Sequence, residues 1–285
     1  MDVRTANLPL VALTPVAAVV AGGVLRGLQR RLTARLQARQ GPPLLQPFLD
    51  MGKLLGKDDS LVHPWLAVFP RLQLAAATTA VALFALRADL LVVLFVHAAG
   101  CVFFTIGGLC SPSPFSRCAG QRQLWQLLAG ETLLFLVAGA LYQQTGSFSL
   151  TAVAALPQPL LPRLPLLFAA YLLALAVKMR ASPFDFAGSD HAHQELVGGV
   201  LTDYCGRHLA FAEIAHWLEL VLYLAIASLF WATAAAPAVA LAVLAFLLVV
   251  VLDNVAARLT WRWLLLRSWL LALGLATFNL LLCAR

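Results

Sequence analysis

At 285 residues the chain has the length of one large domain, yet 61% of its residues are hydrophobic and only 12% charged, against about 45–50% and 25% in soluble domains. That excludes a water-soluble globule. Apolar runs reach the roughly 20 residues that cross about 30 Å of hydrocarbon and lack the alternation of a barrel, so the chain reads as an all-α polytopic membrane protein; its net charge of +7 is accounted for by basic loops and needs no nucleic-acid partner.

Breaks at charge and turn clusters predict about eight transmembrane helices, near 8–25, 65–86, 89–110, 124–142, 160–178, 209–233, 236–252 and 262–283. The first stretch is long enough to remain as a span rather than serve as a cleaved leader. Four large loops, 26–64, 111–123, 178–208 and 253–262, then share one face. They hold Arg26, Arg30, Arg31, Arg35, Arg39, Lys53, Lys57, Arg117, Arg122, Lys178, Arg180, Arg207, Arg258 and Arg262, whereas Arg4, Arg87, Arg163 and Arg285 fall on the other face. The positive-inside rule makes the four loops cytoplasmic and puts both termini on the non-cytoplasmic side of the membrane. With no internal repeat of 20–50 residues, residues 1–285 read as a single integral membrane domain, unlike an inverted-repeat carrier.

In loop 26–64, basic and apolar residues alternate from Arg31 to Arg39 before the break at Gly41-Pro42-Pro43. The pattern fits a short helix on the membrane surface, or a solvated basic loop that only fixes topology. Loop 178–208 carries Asp185, Asp190, His191, His193 and Glu195 between two spans, which is more than a connection needs. Two imidazoles one residue apart without a third placed ligand are a weak metal signal. The cysteines Cys101, Cys110, Cys118, Cys205 and Cys283 have no two-residue spacing, so no iron–sulfur cluster or zinc ribbon is encoded, and no catalytic or metal-binding residue is assigned to this chain.

Charged side chains inside spans cost about 2.5–3.5 kcal/mol each on insertion scales and mark function by default. Glu131 has apolar neighbours on both sides; Glu213, His216 and Glu219 recur every three residues and so share a helix face; Arg71 and Asp253 lie in or at the ends of other spans. Either these groups relay protons or they pair as packing contacts, Glu131 with Arg71 or Arg122. The Glu213-x-x-His216 spacing is half of a di-iron bundle motif with no second copy.

Several blocks carry a resemblance. Arg39-Gln40-Gly41-Pro42 with Leu45-Gln46-Pro47-Phe48-Leu49-Asp50-Met51-Gly52-Lys53, then Ser111-Pro112-Ser113-Pro114-Phe115-Ser116-Arg117 with Gly120, Arg122 and Glu131, resemble the first two cytoplasmic blocks of the complex I membrane subunit called subunit 1 or H. Ser182-Pro183-Phe184-Asp185, His191 to Gly199, Asp203-Tyr204-Cys205-Gly206 and Glu213-Ile214-Ala215-His216-Trp217 resemble the third, and Asp253-Asn254-Val255-Ala256-Ala257-Arg258 the last. The histidine-rich third block is more similar to the membrane anchor subunits of Ech-type and formate-hydrogenlyase-type group 4 nickel-iron energy-converting hydrogenases. Gly188 and the Asp203-Tyr204-Cys205-Gly206 run depart from the family pattern, and Asp203 shortens the carboxylate.

The resemblance implies a subunit that anchors a hydrophilic module to the lipid bilayer and couples its redox chemistry to movement of protons or sodium. It implies Glu131, Asp185, Glu195, Asp203, Glu213, His216 and Asp253 as ion-coupling residues, and Arg39, Gln46, Asp50, Lys53, Arg117 and Arg122 as the interface with that module. The nickel-iron centre and iron–sulfur clusters would belong to hydrogenase large and small subunits and an iron–sulfur subunit, beside an antiporter-like membrane subunit. Alternatives are the quinone-site subunit of an NADH:quinone oxidoreductase and an independent ion-coupled transporter.

Overall fold

The computed structural model describes residues 8–58, 63–182, 184, 187, 198–256, 263 and 268–283. Among these the chain is a helix bundle without strands, apart from one antiparallel bridge between Asp89 and Ser149. Its main helices are α1 (Leu8–Leu36), α2 (Gln46–Leu55), α3 (Val68–Ala85), α4 (Leu90–Leu109), α5 (Pro114–Thr145), α6 (Pro165–Lys178), α7 (Gly206–Ser228), α8 (Ala235–Val255) and α9 (Gly274–Cys283). Those centred on α3, α4, α5, α7 and α8 are long and apolar enough to cross a membrane, and α6 and the segment 270–281 are shorter apolar helices.

Two boundaries differ from the sequence reading. The stretch 31–39 does not form a separate surface helix: α1 runs on unbroken to Leu36, because Arg, Leu and Gln are good helix formers and no Gly or Pro intervenes after Gly27 until Gly41. The separate helix is α2, started by Pro47 in its first turn. The fifth span begins at Pro165 rather than at 160, since Leu160 and Leu161 instead donate their backbone N–H groups to the Phe230 carbonyl.

Lipid tails are as apolar as leucine, so the helices associate through close packing and polar contacts. On α1, a Cβ at Gly22 would lie 2.6 Å from the Trp217 carbonyl oxygen, and one at Gly23 would strike the Phe48 ring. Small residues there let α1 touch both α7 and α2. α3 packs between α4 and α7, while α5 packs on α4 and α6. The interior is filled by Leu133, Leu134, Leu167, Tyr171, Phe230 and Phe246, whereas Val243, Leu244, Leu247 and Val251 of α8 point outward, as a lipid-facing surface requires.

Polar clamps hold both ends. At the loop-rich end, Gln37 donates to Asn254 (3.1 Å) and Asn254 to Thr33 (3.3 Å), tying α1 to α8. At the other end, the buried Asn279 side-chain oxygen accepts from the N–H groups of Leu166 (2.9 Å) and Leu167 (3.1 Å), and its amide donates to the Arg163 carbonyl (3.1 Å). Those two N–H groups belong to the first turn of α6, which has no helical partners of its own.

Candidate functional site

Among the described residues, a polar cluster drawn from five elements interrupts the apolar interior. Glu131 of α5 is buried and accepts a hydrogen bond from the ammonium of Lys178, the last residue of α6. The sequence reading pairs Glu131 with Arg71 or Arg122; Arg71 is exposed on α3, and Lys178 takes the place because Gly130 leaves room for it. A Cβ at Gly130 would lie 2.6 Å from Lys178 Cε, so only glycine lets the lysine stem lie flat against α5. Proton relay and buried pair are therefore not exclusive readings of Glu131, which is in a pair and in a network at once.

That network continues through His97, buried at the middle of α4. Its Nε2 lies 3.5 Å from Glu131 Oε1, 2.9 Å from the Tyr223 hydroxyl and 3.4 Å from Cys101 Sγ. One turn before Tyr223 on α7, Glu219 is also buried and accepts from the Gln73 amide of α3 at 3.1 Å. Above it, His216 Nε2 lies 2.8 Å from Arg180 Nη2, and Arg180 stacks 4.8 Å from the centre of the Phe104 ring.

A cavity of about 290 Å³ leads from the loop-rich end to the Lys178, Glu219 and Tyr223 side of this cluster, and is lined also by Arg26, Arg180, Glu213 and His216. The shared helix face expected for Glu213, His216 and Glu219 is thus the wall of this cavity. Glu213 stands at its outer part, where a groove of about 300 Å³ between α2 and α7 is lined by Arg30, Asp50, Lys53 and Glu213 itself. A run of ionisable groups therefore leads from the loop surface to the centre of the bundle.

The remaining expected residues divide. Asp203 accepts from the Ser111 hydroxyl, and Arg117 donates to the Ser111 carbonyl (2.7 Å), so the second and third loops are tied together at that point. Beside Asp203, burial first and the Asp203 charge second push the Tyr204 phenol above its ordinary range, which keeps it protonated. Asp253 accepts from the Ser182 N–H at 2.7 Å, and Ser182 donates to the Ala256 carbonyl at 3.1 Å. It fixes the start of the third loop and lies outside the central cluster. Asp50 is held by Arg30 (2.9 Å) and by the Gln46 amide (2.8 Å), so Gln46 and Asp50 fasten α2, while Arg39, Lys53 and Arg117 are exposed. Arg122 is half-buried on α5, in contact with its surroundings. Asp185 and Glu195 lie outside the described residues, as do His191 and His193.

Sequence reasoning missed His97, Cys101, Gln73, Tyr223 and the role of Lys178. His97 carried a usable signal, an ionisable ring inside an otherwise apolar span. Lys178 reads from sequence as a loop cation only, because its position at a helix end hides that it turns inward.

A profile of the NADH dehydrogenase family matches residues 8–284. Hydrogenase-4 component C of Escherichia coli K12 is 30% identical over 66% of this chain and 63% of its own length. Formate hydrogenlyase subunit 4 of the same organism is 31% identical over 64% of each chain. The H subunit of the NADH-quinone oxidoreductase of Syntrophotalea carbinolica is 28% identical over 68% of this chain and 67% of the relative. The chain thus spans somewhat under two thirds of the length of the two Escherichia coli proteins. A chain of the membrane-bound sulfane sulfur reductase, an archaeal respiratory membrane complex, has the same fold, with a TM-score of 0.83 over 96% of this chain and 98% of its own at 23% identity.

Proposed function

Because the chain belongs to the NADH dehydrogenase family, we propose that it is the membrane-anchoring and ion-coupling subunit of a complex I-like energy-converting hydrogenase. The observation that carries this reading is the path of ionisable groups from Glu213 through His216 and Glu219 to His97, Glu131 and Lys178, reached from a cavity that opens beside the loop-rich end. Anchoring alone needs no buried carboxylates; their insertion cost implies a use. In this reading the redox module sits on the loops 26–64, 111–123 and 178–208, which face the cytoplasm of a prokaryotic inner membrane, with Arg39, Lys53 and Arg117 offered to it. Asp185 and Glu195 belong to the coupling loop. The nickel-iron centre and iron–sulfur clusters reside in partner subunits, and an antiporter-like membrane subunit continues the ion path. The ion is a proton, or sodium.

A second reading, the quinone-site subunit of an NADH:quinone oxidoreductase, is supported by the Syntrophotalea carbinolica relative and by a cavity volume close to the roughly 300 Å³ at which small-molecule sites begin. Similarity to components of multi-subunit complexes disfavours a solitary transporter. Glu219→Gln tests the first reading, since its carboxylate accepts from the neutral Gln73 amide rather than from a lysine or arginine, so its neutralisation breaks no ion pair of the Glu131–Lys178 kind. The assembled complex should evolve hydrogen from an artificial electron donor at near the parental rate while the ion gradient per hydrogen falls severalfold. A parental gradient, or no hydrogenase activity in the purified complex, overturns it; quinone reduction in its place supports the second reading.

A further inference from the structure

We propose that His97, Cys101 and Glu219 form a binding site for one divalent cation of the zinc class at the inner end of the cavity. One ligand atom from each of the three buried side chains lies within 4.8 Å of the other two, and the set of imidazole nitrogen, thiolate sulfur and carboxylate oxygen is the donor chemistry zinc takes. His97 and Cys101 stand one helical turn apart on the same face of α4. Their separation of 3.4 Å, Nε2 to Sγ, is close to the roughly 3.6 Å between nitrogen and sulfur ligands of a tetrahedral zinc ion with bonds of about 2.0–2.1 and 2.3 Å.

Three further features fit the ion. Gln73 donates to Glu219 at 3.1 Å and so orients that carboxylate from outside, the support that metal-ligating groups usually have. Lys178 is already offset by Glu131. A dication with the Cys101 thiolate and the Glu219 carboxylate therefore adds no net charge to the buried cluster. As the ion enters, the Cys101 thiol proton leaves, along with any proton on Glu219. A small cavity of about 20 Å³, lined by Gln73, Cys101 and Glu219, shares Lys178, Arg180, His216 and Tyr223 with the larger cavity and leads to the site; it exceeds the roughly 10–15 Å³ one small occupant needs.

The test uses the membrane complex as purified in mild detergent, stripped with a chelator and then equilibrated with zinc chloride. Loaded minus stripped protein should hold one additional zinc per complex, and its X-ray absorption fine structure should show one sulfur at about 2.3 Å with lighter ligands at about 2.0–2.1 Å. Cys101→Ser should lose that zinc or its sulfur shell, and His97→Gln should lower the zinc affinity at least tenfold. No additional zinc in the wild-type complex, a first shell without sulfur, or an unchanged sulfur shell in Cys101→Ser overturns the site. The wild-type spectrum decides even where a variant fails to assemble, and the outcome does not depend on whether the complex proves to be a hydrogenase.

Discussion

Glu131 and Lys178 show what a buried ion pair demands of the residues around it. Neutralising one partner leaves the other charge uncompensated and typically costs about 3–5 kcal/mol, whereas replacing both is often neutral. Glu131→Gln alone and Lys178→Met alone should each reduce the yield of assembled complex. The double substitution Glu131→Gln/Lys178→Met should restore the yield without restoring ion translocation. Blue native electrophoresis of solubilised membranes separates these cases, and a double variant as poorly assembled as the single ones would show that the pair is not the unit of stability. Gly130 is a finer probe. An added methyl meets only the flexible stem of Lys178, so Gly130→Ala should cost no more than the roughly 1–3 kcal/mol of overpacking. The stem shifts while the ammonium stays beside Glu131, so the charge remains compensated and assembly should be largely intact; translocation should fall, because proton exchange at the carboxylate depends on where the ammonium sits. Full translocation in Gly130→Ala would mean that this exchange does not depend on the position of the ammonium. Alanine looks conservative at this position from sequence alone, since nothing in the local pattern around Gly130 announces a lysine arriving from another helix.

Single elements are secured by few polar residues. The first turn of α6 depends on Asn279, whose side chain takes two of its N–H groups and holds Arg163. Asn279→Leu removes those bonds in a buried place, where each unpaired group costs about 1–3 kcal/mol. The melting temperature of the detergent-solubilised complex should drop by several degrees; an unchanged value would mean that the turn rearranges to satisfy itself. Arg30→Gln breaks the tie to Asp50 on a partly exposed surface, worth at most about 1 kcal/mol, and should leave the melting temperature alone. Helix identity is legible in the chain because apolar runs bounded by Gly-Pro and Ser-Pro clusters leave little choice. The end of α1 is not, since alternating Arg and Leu suits both a surface helix and the continuation of a long one. The face shared by Glu213, His216 and Glu219 is legible from their three-residue spacing. The partners of Glu131 are hidden, for helical periodicity fixes which residues share a face of one helix and says nothing of which neighbour that face meets. Lys178, His97 and Gln73 come together across gaps of 24 to 81 positions that only the packing of α3, α4 and α6 closes.

Over the whole molecule, the third loop leaves and returns beside the same polar path. It departs after Lys178 and is fastened at Ser182 by Asp253 of α8; it returns through Asp203, which is fastened to Ser111 of the second loop, and runs straight into α7 with Glu213 and Glu219. Movement of this loop would thus be felt at both ends of the path, at the ammonium bonded to Glu131 and at the helix carrying the cavity carboxylates. Charges in such a site interact far more strongly than in water, so a displacement of an ångström or two there is enough to change which group holds a proton. Two-point fastening makes a specific demand on coupling. Loosening one end should let the loop move without transmitting its motion, and the chemistry of a partner module should continue. Ser111→Ala and Asp203→Asn each weaken the return anchor while leaving the departure anchor at Asp253 in place. Asp203→Asn keeps size and one oxygen acceptor, so assembly should persist. On the proposed function, the expected outcome is near-parental hydrogen evolution with an artificial donor and a gradient per hydrogen reduced severalfold in both variants, read from acidification of inverted membrane vesicles. Asp185→Asn and Glu195→Gln, within the loop itself, should give the same uncoupled phenotype. Equal loss of hydrogen evolution and gradient in all four variants, with assembly unchanged, would instead make the loop part of the supply of electrons or protons to the partner's reaction.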